Sequence, residues 1–144
     1  MSILGIDIKN KNWQLRKTIL LYIVLSLAAI AVDNIYAIFG HGVSSATMTW
    51  MFLYPLIGGA LIYFLIERLI PGVSKAAGYR VFYNLYNSGI AALFAGSFLK
   101  GILDIAGTSS SYTVIFNVIG WLFAAVGLIL LTSFMVRYTA PPKK

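Results

Sequence analysis

Asp33, Lys100, Asp104 and Asn117 lie inside stretches otherwise suited to hydrocarbon, and they are the residues whose types could do chemistry. Carboxylate, ammonium and amide groups at such depth suit the binding of a small solute or ion, or proton uptake by a carboxylate. With no cysteine in the chain, they include no thiol nucleophile. Asp33 stands six residues before the end of an apolar run, and Lys100 five before the end of another. At 1.5 Å per residue both sit roughly 8 to 9 Å inside the same boundary. A lone ion there is costly, so Asp33 should face the protein interior and find a partner, for which Lys100 is the obvious candidate. Asn34, Tyr36, His41 and Asn117 would complete a polar, ligand-binding pocket open to the outside. Asp104 would hold Lys100 from the next helical turn or sit among headgroups. Two structural alternatives stand beside this site: a simple tie between helices, and a Lys100 that reaches outward along its own apolar stem.

Asn84, Asn87 and Ser88 form a second polar group. At 100° per residue the two asparagines fall about 140 to 160° around their helix from Lys100, nearly opposite it. One small bundle interior would struggle to shelter both faces. These residues therefore suggest a partner interface, in a homodimer or a larger membrane complex, with asparagines bonding across it. Shallow placement near headgroups, with Arg80 close by, would explain them equally well.

The elements that must position these groups are four apolar runs, at about 18–39, 47–69, 82–105 and 113–136. The first, with 22 residues, would rise about 33 Å as a helix, enough to cross a bilayer core. Of the 144 residues, 60% are hydrophobic and 10% charged, against about 25% charged in a soluble domain. The fold class expected is an all-α integral membrane protein, a single domain of four transmembrane helices in two antiparallel hairpins. Pro55 lacks an amide hydrogen and clashes with the preceding turn, which predicts a kink between Met51 and Pro55. Gly58-Gly59 follow one turn later, and Pro71-Gly72 end the run. Residues 1–17, with Ile3, Leu4, Ile6 and Trp13 among polar neighbours, suggest a short interfacial helix.

Small residues mark the faces on which membrane helices pack. Three stripes at helical spacing carry them: Tyr22, Ser26, Ala29 and Asp33; Gly89, Leu93, Gly96 and Lys100; and Asn117, Gly120, Ala124 and Gly127. Gly42-Val43-Ser44-Ser45 and Gly107-Thr108-Ser109-Ser110 precede the second and fourth runs in similar fashion, a weak hint of duplication.

The net charge of +7 is distributed by side. Lys9, Lys11, Arg16, Lys17, Arg68, Lys75, Arg80, Arg137, Lys143 and Lys144 flank the runs at one end, and Lys100 alone lies toward the other. The excess of positive charge on cytoplasmic loops puts both termini inside. It also argues against a dual-topology transporter, and its placement calls for the lipid bilayer as partner and no nucleic acid. With no cysteine and one histidine, the chain calls for no cofactor and no metal. No phosphate-binding glycine loop or nucleophile elbow suggests an enzyme. Two functions remain. One is a small transporter or channel of the plasma membrane, of bacterial cytoplasmic type, with its site at the outer polar cluster. The other is a non-transporting accessory subunit or immunity-type protein that binds another membrane protein.

Overall fold

A computed structural model describes residues 3–73 and 78–139, with side chains for 13–73 and 78–137. Expectations attached to Lys75, Lys143 and Lys144, and to the side chains of Ile3, Leu4, Ile6, Lys9 and Lys11, fall outside the described residues. The regular structure of the described residues is all helix, with no strand. It comprises α1 (Ile3–Phe39), α2 (Ala46–Thr49), a π-helical stretch (Tyr54–Leu61), α3 (Ile62–Leu69), α4 (Tyr79–Ile105) and α5 (Tyr112–Thr139). Four spans are long and apolar enough to cross a membrane: Trp13–Phe39, Ala46–Leu69, Tyr79–Ile105 and Tyr112–Arg137. Their bounds fall within a few residues of those the hydropathy pattern predicts. No break separates residues 3–17 from the first span; they continue the same helix.

The second span departs most from a regular helix, and Pro55 is the reason. In an α-helix its nitrogen would donate to the carbonyl of Met51, and it has no hydrogen to give. Tyr54 N–H takes that carbonyl instead, at 3.2 Å, and Leu53 N–H bonds to Trp50 O at 3.1 Å. These short three-residue steps tighten the chain, and the looser π winding follows directly. The irregular stretch presents its two glycines to neighbouring spans. A Cβ on Gly59 would overlap the ring of Tyr22 from α1, and one on Gly58 would come within 2.7 Å of Ile90 Cδ1 from α4.

α4 is the central helix, because it packs on the second span with one side and on α5 with another. Tyr86, Ile90 and Gly101 belong to the first side. A Cβ on Gly101 would stand 2.6 Å from Met48 Cβ. Gly89, Leu93 and Gly96 belong to the second. On Gly89 a Cβ would lie 2.6 Å from the backbone nitrogen of Ala124, on Gly96 2.6 Å from Phe116 Cβ, and on Gly120 2.7 Å from Leu93 Cγ. Thus the small-residue stripes of the third and fourth runs face each other. In α1 the stripe is buried as well, at Tyr22, Ser26 and Ala29.

The core divides in two along the spans. One cluster gathers Tyr22, Tyr63, Phe82, Tyr86, Ile90 and Leu131 among others, and a separate one gathers Ala29, Met48 and Met51 with Tyr36 and Phe98 against them. The π-helical stretch lies between them in the chain. Arg16 near Glu67 (3.9 Å), Thr18 beside Tyr83, and Phe134 against Gly78 bring the basic flanks of all four spans to the end occupied by the first cluster.

The α4–α5 seam is the tightest backbone contact, and its glycines should be intolerant of a single methyl group. Gly89→Ala or Gly120→Ala is expected to cost about 1–3 kcal/mol through overpacking. Thermal unfolding in mild detergent would show this as a clear fall in Tm, while Ala125→Leu on the exposed face of α5 leaves it unchanged.

Candidate functional site

Polar groups collect at two levels. At the end away from the basic flanks, α1 ends in a turn through Gly40, His41 and Gly42, in which His41 is exposed and adopts a positive φ of 50°. The chain then enters α2 at Ser45. Ser45, Thr47 and Thr49 point hydroxyls at two carboxylates from different spans. Ser45 Oγ donates to Asp104 Oδ2 at 2.7 Å, with Thr47 Oγ1 farther from the same oxygen at 3.4 Å. Thr49 Oγ1 lies 3.3 Å from Asp33 Oδ1 and 3.1 Å from the Ser45 carbonyl.

The remaining residues of the expected outer pocket are not gathered there. Lys100 is exposed. Among the described residues the one ion pair is Arg16–Glu67, so neither Asp33 nor Asp104 is within 4 Å of the Lys100 ammonium. Asn34 donates to Ile30 O one turn back in its own helix, and Asn117 donates likewise to Thr113 O. Tyr36 packs edge-on against Phe98, with ring centroids 6.1 Å apart. Among the described residues no group of three histidine or acidic side chains could hold a metal ion.

The second level lies deeper, among tyrosines of the larger core cluster. Asn87 Oδ1 accepts two hydrogen bonds, from Tyr22 OH of α1 at 2.6 Å and from Tyr63 OH of α3 at 2.7 Å. Tyr86 OH donates to the Gly58 carbonyl in the π-helical stretch at 2.6 Å. Thr18 Oγ1 gives its hydrogen to Gln14 O at 3.1 Å, so Tyr83 OH is the donor in the 3.2 Å contact between Tyr83 and Thr18. The rings support this network: Tyr22 and Tyr63 stack at 5.9 Å, and Tyr63 meets Tyr86 edge-on at 6.1 Å. Counted inward from the ends of the spans nearer the basic flanks, Tyr63, Asn87 and Tyr22 lie roughly 9 to 14 Å in.

Beside the network runs a groove of about 360 Å³ between α1 and α4, with Pro55 in its wall. Thr18, Tyr22, Tyr83 and Asn87 supply its polar groups, and Leu25 and Phe94 are among its apolar ones. Leu21, Leu25 and Ala91 at its rim are exposed, so it opens sideways out of the bundle. Asn87 lines this groove, and its Nδ2 makes no hydrogen bond among the described residues. Of the other two residues expected at a partner interface, Asn84 and Ser88 stand exposed one turn apart on α4.

Sequence reasoning missed the pairing at Asn87. One signal was present: Tyr22 heads the buried stripe of α1, and a buried tyrosine hydroxyl needs a partner.

Four apolar spans mark a small multi-pass membrane protein. No family model, no curated protein and no solved structure matches the chain.

The shared acceptor yields a distinctive mutational pattern. Asn87→Leu strands two hydroxyls and should destabilise by about 1–3 kcal/mol, whereas Tyr22→Phe or Tyr63→Phe alone should cost about 1 kcal/mol or less. Combining Asn87→Leu with both phenylalanine changes should recover part of the loss. Unfolding in detergent would expose this non-additivity, which a set of independent contacts lacks.

Proposed function

We propose that the chain is a transporter-like membrane protein that binds a small amphipathic solute in the groove between α1 and α4. The observation that carries this proposal is the Asn87 amide. Its oxygen accepts from two tyrosines, and its nitrogen, on a residue that lines the groove, has no acceptor among the described residues. In hydrocarbon an unmet donor costs several kcal/mol, so the site calls for an occupant bearing a carbonyl, ether or hydroxyl oxygen. The surrounding wall of Leu21, Leu25, Ile90 and Phe94 suits an apolar body. A volume of about 360 Å³ is at the small end of ligand pockets. The broken second span adds support, since interrupted helices and π turns recur where membrane proteins bind solutes.

In this proposal the outer cluster serves as a clasp. Ser45, Thr47 and Thr49 satisfy Asp33 and Asp104 from within the chain, which suits closing the end of the bundle. We also propose that the spans form two antiparallel hairpins with both termini in the cytoplasm of a bacterial-type plasma membrane. Contacts along α4 and α5 run in opposite order, from Tyr86 with Gly127 to Gly96 with Phe116. Arg16, Arg68, Arg80 and Arg137 flank the spans at one end, as the positive-inside bias requires.

Because the chain has no cysteine, single introduced thiols report cleanly on both points. In intact cells a membrane-impermeant maleimide should label His41→Cys and Ser109→Cys but not Lys144→Cys; the reverse pattern would invert the topology. For the groove, methyl laurate should raise the Tm of the purified protein and tridecane should not. The combined variant Tyr22→Phe, Tyr63→Phe, Asn87→Leu should lose that response. An equal shift from the alkane, or an unchanged response in the variant, would refute the solute site. A disulfide-linked dimer of Ala91→Cys in membranes would do the same, by giving the groove to a second copy.

A further inference from the structure

A second groove, of about 530 Å³, lies between α1 and α3 at the basic end of the bundle. It is independent of the one beside Asn87. Arg16, Glu67 and Arg68 form its polar part, and Ile19, Ile23 and Phe64 continue from them toward the middle of the spans. Arg16 is 77% exposed, and its Nε stands 3.9 Å from Glu67 Oε1, beyond hydrogen-bond distance. Arg68 is exposed and has no ion pair among the described residues. Both guanidinium groups therefore keep donors available. Lys17, the neighbouring cation, is instead held 3.3 Å over the ring of Trp13. The apolar wall is open as well, with Ile23 at 39% and Phe64 at 54% exposure.

We propose that this groove binds one anionic phospholipid with a hydroxylated headgroup, of the phosphatidylglycerol class. The lipid phosphate takes the guanidinium donors of Arg16 and Arg68, a pairing whose planar geometry favours arginine over lysine. An acyl chain lies along Ile19, Ile23 and Phe64, which a water-soluble phosphate could not use. Two guanidinium groups and one carboxylate leave a net charge of +1 at the mouth, the complement of a monoanionic phosphodiester. Glu67 contributes an acceptor for a headgroup hydroxyl while repelling a second anion. The site lies where the spans leave the hydrocarbon, at the level of lipid phosphates, and anionic lipid is attracted there by the surface field of basic residues. That field is diffuse. The groove adds shape, and shape is what the experiment must separate from charge.

The full-length protein in mild detergent would be titrated with dioleoyl phosphatidylglycerol, following bound lipid by native mass spectrometry and Tm. Binding at least tenfold tighter than to dioleoyl phosphatidylcholine or phosphatidylethanolamine is expected. Arg16→Gln with Arg68→Gln should weaken it tenfold or more, and Ile23→Trp should weaken it with no change of charge. Arg137→Gln, at the same end but outside the groove, should leave it unchanged. All four positions are exposed, so elution profile and circular dichroism should match the parent. An equal loss in Arg137→Gln would reduce the effect to diffuse charge and overturn the proposal. So would full competition by chain-free glycerophosphoglycerol, or equal affinity for phosphatidylethanolamine.

Discussion

The amide oxygen of Asn87 receives one hydroxyl from α1 and another from α3, and this shared acceptor ties three spans together. Lipid tails are as apolar as leucine, so helices gain little by hiding hydrophobic surface from them. Close packing and hydrogen bonds must do the work. At the tyrosine level each ring brings a large apolar face and a hydroxyl that has to be met. Tyr86 meets that demand on the Gly58 carbonyl, and Tyr83 on Thr18. The glycines at 58 and 59 let the rings approach, and Pro55 makes the second span irregular at that height.

Much of this frame was legible in the sequence, because it depends on periodicity and length. Hydropathy marked four spans, the break at Pro55 followed from a missing N–H, and the stripes through Gly89, Leu93 and Gly96 and through Gly120, Ala124 and Gly127 marked the α4–α5 seam. Each of these is a property of one helix. The polar partnerships are properties of two, and they depend on how far each helix is rotated about its axis. Asp33 and Lys100 share a depth, yet equal depth leaves their azimuths undetermined. The hydroxyls of Ser45, Thr47 and Thr49 are also nearer competitors, presented by the cap and first turn of the second span itself.

Asn87 shows a second limit of single-helix reasoning. Its position nearly opposite Lys100 on α4 suggests either a partner outside the chain or a shallow place near headgroups, if a helix in a small bundle has one interior face. α4 has two, one toward the second span and one toward α5. An asparagine can then find tyrosines inside the molecule on a side that a simpler bundle would give to lipid. Asn84 and Ser88, slightly farther round, remain on the surface.

The π-helical stretch from Tyr54 to Leu61 has a geometric consequence of its own. Each π turn closes over one residue more than an α turn, and one residue corresponds to roughly 100° of helical rotation. The stretch therefore acts as a phase shifter between the two halves of the second span. Met48 and Met51 on one side of it and Tyr63 and Ile66 on the other all face the interior, although they serve different core clusters. The protein is in effect two cores in series along the membrane normal, clocked against each other by a local change of winding. Were that stretch to rewind as ordinary α-helix, the half carrying Tyr63 would turn as a unit, and the acceptor on Asn87 would lose one of its two donors.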